Sequence, residues 1–142
     1  MVERRPSARD EGHERKGIRR VLGDREASIM EVVWNAREAT VREIHAALGC
    51  KTHLAYTTVM TITDRLRRKG LLRRQKRGNA YVYCAEGSRE SFVASCVHRL
   101  LDAFLPDLNE AALSRFVDGL AQEQPELLAR LERIVRTRKG AP

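Results

Sequence analysis

Hydrophobic residues recur at helical spacing over most of the chain and alternate over one short stretch. From Gly23 to Asn35, Ile29, Met30, Val33 and Trp34 share one broad face, which predicts an amphipathic helix with Asp24 as its N-cap and Trp34 in the core. Thr40-Val41-Arg42-Glu43 has the form of a capping box, in which hydroxyl and carboxylate satisfy each other's free backbone donors. It opens a short helix through Leu48 that Gly49 stops. Leu54 to Lys69 reads as a third helix, with Val59, Ile62 and Leu66 inward and Gly70 placed for the left-handed C-terminal conformation. After Gly70 the period changes: Leu71 to Lys76 and Ala80 to Cys84 are β-like runs flanking Arg77-Gly78-Asn79, which has hairpin turn chemistry. Closely linked short helices followed by a hairpin predict a winged helix-turn-helix. Tyr81 and Tyr83 share one face of the second strand, so both rings are expected beneath or beside the wing, with base stacking as the alternative.

Helical spacing returns at Ser88. Phe92, Val93, Cys96, Val97, Leu100, Leu101, Phe104 and Leu105 form a stripe that Pro106 ends. Asn109 can cap the next helix, with Leu108 and Leu113 as a hydrophobic staple, and Leu113, Phe116, Val117 and Leu120 continue the stripe. Pro125 suits the first turn of a last helix carrying Leu127, Leu128, Leu131, Ile134 and Val135. This is more apolar surface than one chain covers easily, and isologous pairing with a second copy buries it from both partners. The expected dimer residues are Phe92, Cys96, Leu100, Phe104, Leu113, Phe116, Val117, Leu120 and Leu131. The alternative is that these helices pack on their own winged domain.

The fold expected is therefore mainly α with a small β-hairpin wing: a flexible arm over 1–17, a winged-helix domain over 18–86, a three-helix dimerisation domain over 87–138 and a short tail over 139–142. The arm mixes five basic with four acidic residues and has almost no large apolar side chains, so it cannot bury enough surface to order itself.

Charge adds a direction. Residues 51–77 hold nine Lys/Arg against Asp64 alone, a local +8 that equals the net charge of all 142 residues. The other 115 positions balance at 18 basic and 18 acidic. A cationic block laid over a helix and a hairpin suits a grooved polyanion, double-stranded DNA first, whereas the bland reading is a solvated face. With Val59, Ile62 and Leu66 inward, Thr57, Met60, Thr61, Asp64 and Arg68 point out with Thr58 and Arg65 flanking, and the N-terminal half of this face, Thr57, Thr58, Met60 and Thr61, is uncharged. These short or uncharged side chains can approach base edges and thymine methyls in a major groove. Charge is concentrated later, at Arg65, Arg68 and Lys69 on the last turns and at Arg73, Arg74, Lys76 and Arg77 on the wing, where phosphates would lie.

Other chemistry is weak. No Gly-rich phosphate loop, metalloprotease helix or nucleophile elbow is present, so an enzyme is not expected. Cys50, His53 and His45 have loose spacing and lack a fourth ligand, so neither a metal nor another cofactor is expected. The three cysteines read as free thiols, and no apolar run of about 18 residues or secretory signal occurs, which together predict a cytoplasmic protein.

The run Leu54-Ala55-Tyr56-Thr57-Thr58-Val59-Met60-Thr61, then Asp64-Arg65-Leu66, Lys69-Gly70-Leu71-Leu72-Arg73-Arg74 and Gly78-Asn79-Ala80-Tyr81-Val82-Tyr83, resembles the penicillinase-repressor family. Leu22-Gly23-Asp24 with Glu26, Met30 and Trp34, and Thr40-Val41-Arg42-Glu43-Ile44, also fit. The resemblance implies a homodimeric winged-helix transcriptional repressor that binds a short palindromic operator and whose C-terminal helices interlock two subunits. In members that control β-lactam resistance, a membrane sensor protease triggers cleavage before the Phe of a Leu-x-Asn-Phe-Val stretch. The matching segment is Leu113-Ser114-Arg115-Phe116-Val117, with Arg115 at the Asn position, so the corresponding bond is Arg115-Phe116.

Two other classes are compatible with these residues: a small-molecule- or redox-responsive winged-helix regulator not controlled by proteolysis, and an architectural protein that coats DNA with little sequence preference. For a dimer in which each copy neutralises about 3 to 5 phosphates, DNA titrations across salt concentrations are expected to give a log-log slope of roughly −6 to −9. A slope near zero would remove the polyanion reading.

Overall fold

The computed structural model describes residues 17–49 and 52–140, so residues 1–16 of the predicted arm, Cys50, Lys51 and the last two residues of the tail lie outside the described residues, while Gly17, expected in the arm, is helical. Residues 17–22 are helical, and Gly23 then turns the chain with φ +82° into α1, Asp24–Ala36. The expected N-cap at Asp24 is corrected here. A left-handed residue occupies the capping position, no side chain caps the helix, and Asp24 becomes its first residue, where its charge complements the helix dipole together with Glu26.

A short strand, β1 (Glu38–Thr40), leads into α2, Val41–Leu48, which carries the hydroxyl half of the expected capping box: Glu43 N–H donates to Thr40 Oγ1 at 3.2 Å. The next helix, α3, spans Tyr56–Arg68 and starts two residues later than its sequence pattern suggests. The physical reason is His45, whose Nε2 is hydrogen-bonded to the Leu54 carbonyl at 3.0 Å and holds that residue out of the helix. At its other end Gly70 has φ +82°, Gly70 N–H donates to Arg67 O, and Leu71 N–H donates to Leu66 O, a Schellman stop that turns the chain straight into the wing.

The wing is β2 (Leu72–Arg77) and β3 (Ala80–Ala85), joined by the two-residue turn Gly78-Asn79, with Arg77 belonging to the strand rather than the turn. The sequence pattern did not reveal β1. It adds a third antiparallel strand in the order β1-β3-β2, pairing Ala39 with Tyr83. A strand of three residues is too short to display a period of two.

Ile29, Met30 and Val33 from α1, Val41, Ile44 and Leu48 from α2, and Val59, Ile62 and Leu66 from α3 form one buried core with Ala39, Leu72 and Tyr83 of the sheet. Thr63 is also fully buried, and its hydroxyl donates to Val59 O at 2.7 Å, so no polar group is stranded there. Trp34 flanks this core half-buried rather than inside it: Nε1 donates to Gly87 O, and the ring packs 5.6 Å from Phe92. An ion pair ties the end of α3 to α1: the half-exposed Lys69 Nζ reaches the buried Glu26 Oε1 and Oε2 at 2.9 and 3.0 Å.

The remaining helices are α4 (Arg89–Phe104), a 3-10 turn at Leu105–Asp107, α5 (Glu110–Glu123) and α6 (Pro125–Arg138). Asn109 Oδ1 accepts from Ala112 N–H and caps α5, and Pro125 opens α6, both as expected. The chain divides into two compact units after Cys96, inside α4. In the first unit, the start of α4 packs on α1 through Phe92 against Trp34 and Arg89 Nε to Glu31 at 2.9 Å. In the second unit, α5 and α6 pack on each other. No described helix is long and apolar enough to cross a membrane.

Lys69→Met keeps the apolar stem but leaves the Glu26 carboxylate buried without its cation. Urea unfolding is expected to show a loss of about 1–3 kcal/mol, part of it recovered when Glu26→Gln is added. A loss confined to the noise would mean that the pair contributes nothing to the core.

Candidate nucleic-acid interface

Burying Val59, Ile62, Thr63 and Leu66 fixes which side of α3 faces out. Thr57, Met60 and Thr61 are exposed and Thr58 is half-buried, so the predicted reading residues form one surface. Thr61 Oγ1 donates to Thr57 O at 2.9 Å, which commits its proton to the helix. Its oxygen is left as an acceptor and its methyl as an apolar contact, which suits the amino groups of adenine or cytosine and the thymine methyl.

The cations around this surface have different surroundings. Arg65 is exposed on α3, and it and Lys76 have no ion-pair partner among the described residues. Lys69, expected at a phosphate, is instead turned onto Glu26. Arg77 is held as a fork on Glu38, at 2.7 and 3.0 Å, and Arg73 Nε donates to Cys84 Sγ at 3.0 Å. Arg68 Nε lies 2.9 Å from Asp64 Oδ2. Arg74 sits 3.8 Å from Asp64 Oδ1, with its guanidinium stacked 4.2 Å above the Tyr81 ring. The two tyrosines lie on one side of β3 as expected, both lining a cleft that Arg74 borders, but they differ in burial: Tyr83 belongs to the core, while Tyr81 is exposed beneath the Arg74 guanidinium.

A cleft of about 1090 Å³ runs between α3 and the wing, lined among others by Met60, Thr61, Arg65, Arg68, Arg74 and Tyr81. Arg42, from the first turn of α2, also lines it and was not singled out from the sequence. Its signal was its place beside a capped helix N-terminus, which became informative once α2 was seen to border α3. Asp64 was placed on the outward face but its pairing with the arginines was not foreseen, and Glu38 was missed altogether. The 39-residue separation of Glu38 and Arg77 leaves no local signature.

Cys84 and Cys96 are free, and His45 is engaged with Leu54 and edge-on to Tyr56 at 5.7 Å. Among the described residues no group of three or more His, Cys, Asp or Glu is placed to hold a metal ion.

The ion pairs shift the acids in one direction. The hydrogen bond from Arg77, followed by its charge, lowers the Glu38 pKa below the usual carboxylate range. The hydrogen bond from Arg67 does the same to Asp64 against an opposing effect of burial, with the charges of Arg68, Arg67 and Arg74 adding to it. An acid lowered in the folded chain adds stability that is complete above its unfolded pKa of about 4 and is lost as pH falls through the lower folded value. Both clasps are thus expected to be intact at neutral pH and to open only in stronger acid than an isolated carboxylate requires. Carboxyl-carbon NMR titration is the check, and Arg77→Ala is expected to return Glu38, but not Asp64, to the ordinary range.

Comparison with known proteins places the chain. Residues 22–137 match the family model described as Penicillinase repressor. The transcriptional regulator BlaI of Mycobacterium tuberculosis is 36% identical over 111 residues, which cover 77% of this chain and 80% of that protein. The penicillinase repressor of Bacillus licheniformis is 23% identical over 98 residues, covering 69% of this chain and 77% of its own. Among solved structures, that of the DNA-binding domain of the repressor BlaI aligns with a TM-score of 0.44 at 27% identity, over 46% of this chain and 80% of that one. On the family match and the mycobacterial identity, this winged-helix chain belongs to the penicillinase-repressor family, whose members are DNA-binding transcriptional repressors and not enzymes.

Proposed function

We propose that the protein represses transcription as a homodimer, each subunit laying α3 in the major groove of one half of a palindromic operator and its wing along the adjoining backbone. The observation that carries this reading is the division of the α3 surface, an uncharged Thr57-Thr58-Met60-Thr61 face bordered by Arg65, Arg68 and the wing arginines. Base reading is done by side chains that can approach closely, and affinity comes from cations at the margins.

Dimerisation rests on the second set of helices. No described residue of α4, α5 or α6 is buried, and Leu100, Phe104, Leu113, Phe116, Val117 and Leu131 are all exposed. Leu120 is half-buried, as are Phe92 and Cys96, and Phe92 is already packed on Trp34, so the dimer surface starts beyond it, from Val97 onward. Joining two subunits makes the second half-site encounter intramolecular, which multiplies operator affinity without a new contact.

Release of the operator by a sensor protease fits the same surface. Phe116 is exposed, and the Arg115-Phe116 bond lies within α5, so scission requires local opening of that helix and separates its second half and α6 from the rest of the chain. The loss of α6 weakens the pairing of subunits and with it the joint grip on two half-sites.

The test begins by selecting tight-binding duplexes from a randomised pool with the wild-type chain. Thr61→Ala is expected to narrow the ratio of selected to random affinity by about 5- to 20-fold, whereas Arg65→Ala, Arg74→Ala or Arg77→Ala weakens both DNAs alike. Phe104→Glu is expected to sediment as single subunits and to lose preference for palindromes. An unchanged ratio for Thr61→Ala would show that the reading face is elsewhere.

A further inference from the structure

Asp64 is the lone acid among the cations of residues 51–77, and it projects from the DNA-facing side of α3. A carboxylate there repels phosphate, so its presence needs a physical account. The geometry supplies one. Asp64 Oδ1 accepts from Arg67 Nε at 3.1 Å and Nη2 at 2.8 Å, Oδ2 lies 2.9 Å from Arg68 Nε, and Arg74 of the wing reaches within 3.8 Å of Oδ1. Three guanidinium groups from two different elements thus converge on one carboxylate, and they cover it: the Asp64 side chain retains 26% of its exposure.

We propose that Asp64 is a positioning residue for DNA binding, a brace that gathers Arg67, Arg68 and Arg74 into one phosphate-binding cluster across the seam between recognition helix and wing. The inference rests on the DNA-binding reading above. Each arginine carries five N–H donors in a rigid fork. The carboxylate accepts hydrogen bonds from two nitrogens of Arg67 and pairs by charge with Arg68 at 2.9 Å from its Nε, which leaves Nη1 of Arg67 and the terminal nitrogens of Arg68 for another acceptor. Arg74 is fixed on a second side by the Tyr81 ring. Without the brace, three like charges repel and three long side chains regain rotamer freedom that phosphate binding must then remove. Because the guanidinium groups cover the carboxylate, its own repulsion of phosphate is screened by the groups it orders.

Charge alone and positioning predict opposite signs, so Asp64→Asn decides between them. The substitution removes one negative charge from the DNA face and alters none of the buried residues of α3. Binding to a fluorescent mixed-sequence duplex of about 30 base pairs is measured across a range of salt, with thermal melting to verify the fold. If Asp64 is a brace, D64N binds about 5- to 30-fold more weakly despite its higher net charge, and the salt slope becomes shallower because fewer phosphates are engaged together. Arg74→Gln cuts the brace from the wing side, and the double variant D64N/R74Q is expected to lose less than the sum of the two single losses. Equal or tighter binding by D64N, with an equal or steeper slope, overturns the brace alone. A wild-type chain that binds no duplex at any salt overturns the DNA reading and the brace together.

Discussion

Helix α3 has one side in the core and the other in solvent, and the remainder of the winged unit is arranged around that fact. Val59, Ile62 and Leu66 anchor it against α1 and α2, and the buried Thr63 adds volume without a stranded hydroxyl. Replacing Ile62 or Leu66 by Ala would cost on the order of 2–5 kcal/mol, a substantial share of a small domain's stability. The same packing fixes the rotation of the helix about its axis, so the outward placement of Thr57, Met60 and Thr61 follows from the core. The Schellman stop at Gly70 then sets where the wing departs, and Lys69 on Glu26 ties that end of the helix back to α1.

The charge on the outer surface of α3 and the wing is organised by the few acids within it. Glu38 holds Arg77 near the wing tip, and Asp64 holds Arg68 beside Arg74 at the seam. Exposed ion pairs of this kind add little to stability, since solvent screens them and ordering long side chains is entropically unfavourable. Their physical effect is on geometry: they choose among arginine rotamers before any phosphate arrives. A surface pre-arranged in this way gives up less entropy on binding than one of freely moving cations.

The two units meet opposite demands on apolar surface. In the winged unit, large apolar residues are mostly buried, and the exceptions on α3 and β3, Tyr56, Met60 and Tyr81, line the cleft. In the second unit, the apolar stripe from Val97 to Val135 remains exposed on helices that bury no residue. Apolar area of that kind is normally covered in a stable assembly.

Much of this was legible along the chain because the signals are local. The capping box at Thr40, the glycine stop after Lys69, the alternation flanking Gly78-Asn79, the Asn109 cap and the α3 face each depend on residues within a turn or two of one another. Sequence alone therefore determined the winged helix, the boundaries of most elements and the outward residues of α3. Tertiary structure decided what depends on distant partners: the strand β1, too short for a period until Tyr83 pairs with Ala39, and the late start of α3, set by His45 on Leu54. It also decided the fate of each cation. Lysine and arginine look alike in a charge count, but a buried carboxylate 43 positions away engages Lys69, while Arg65, four residues earlier, has no ion-pair partner among the described residues. Charge is a property of residues, whereas its availability to a ligand depends on which opposite charges the fold places within a few ångströms.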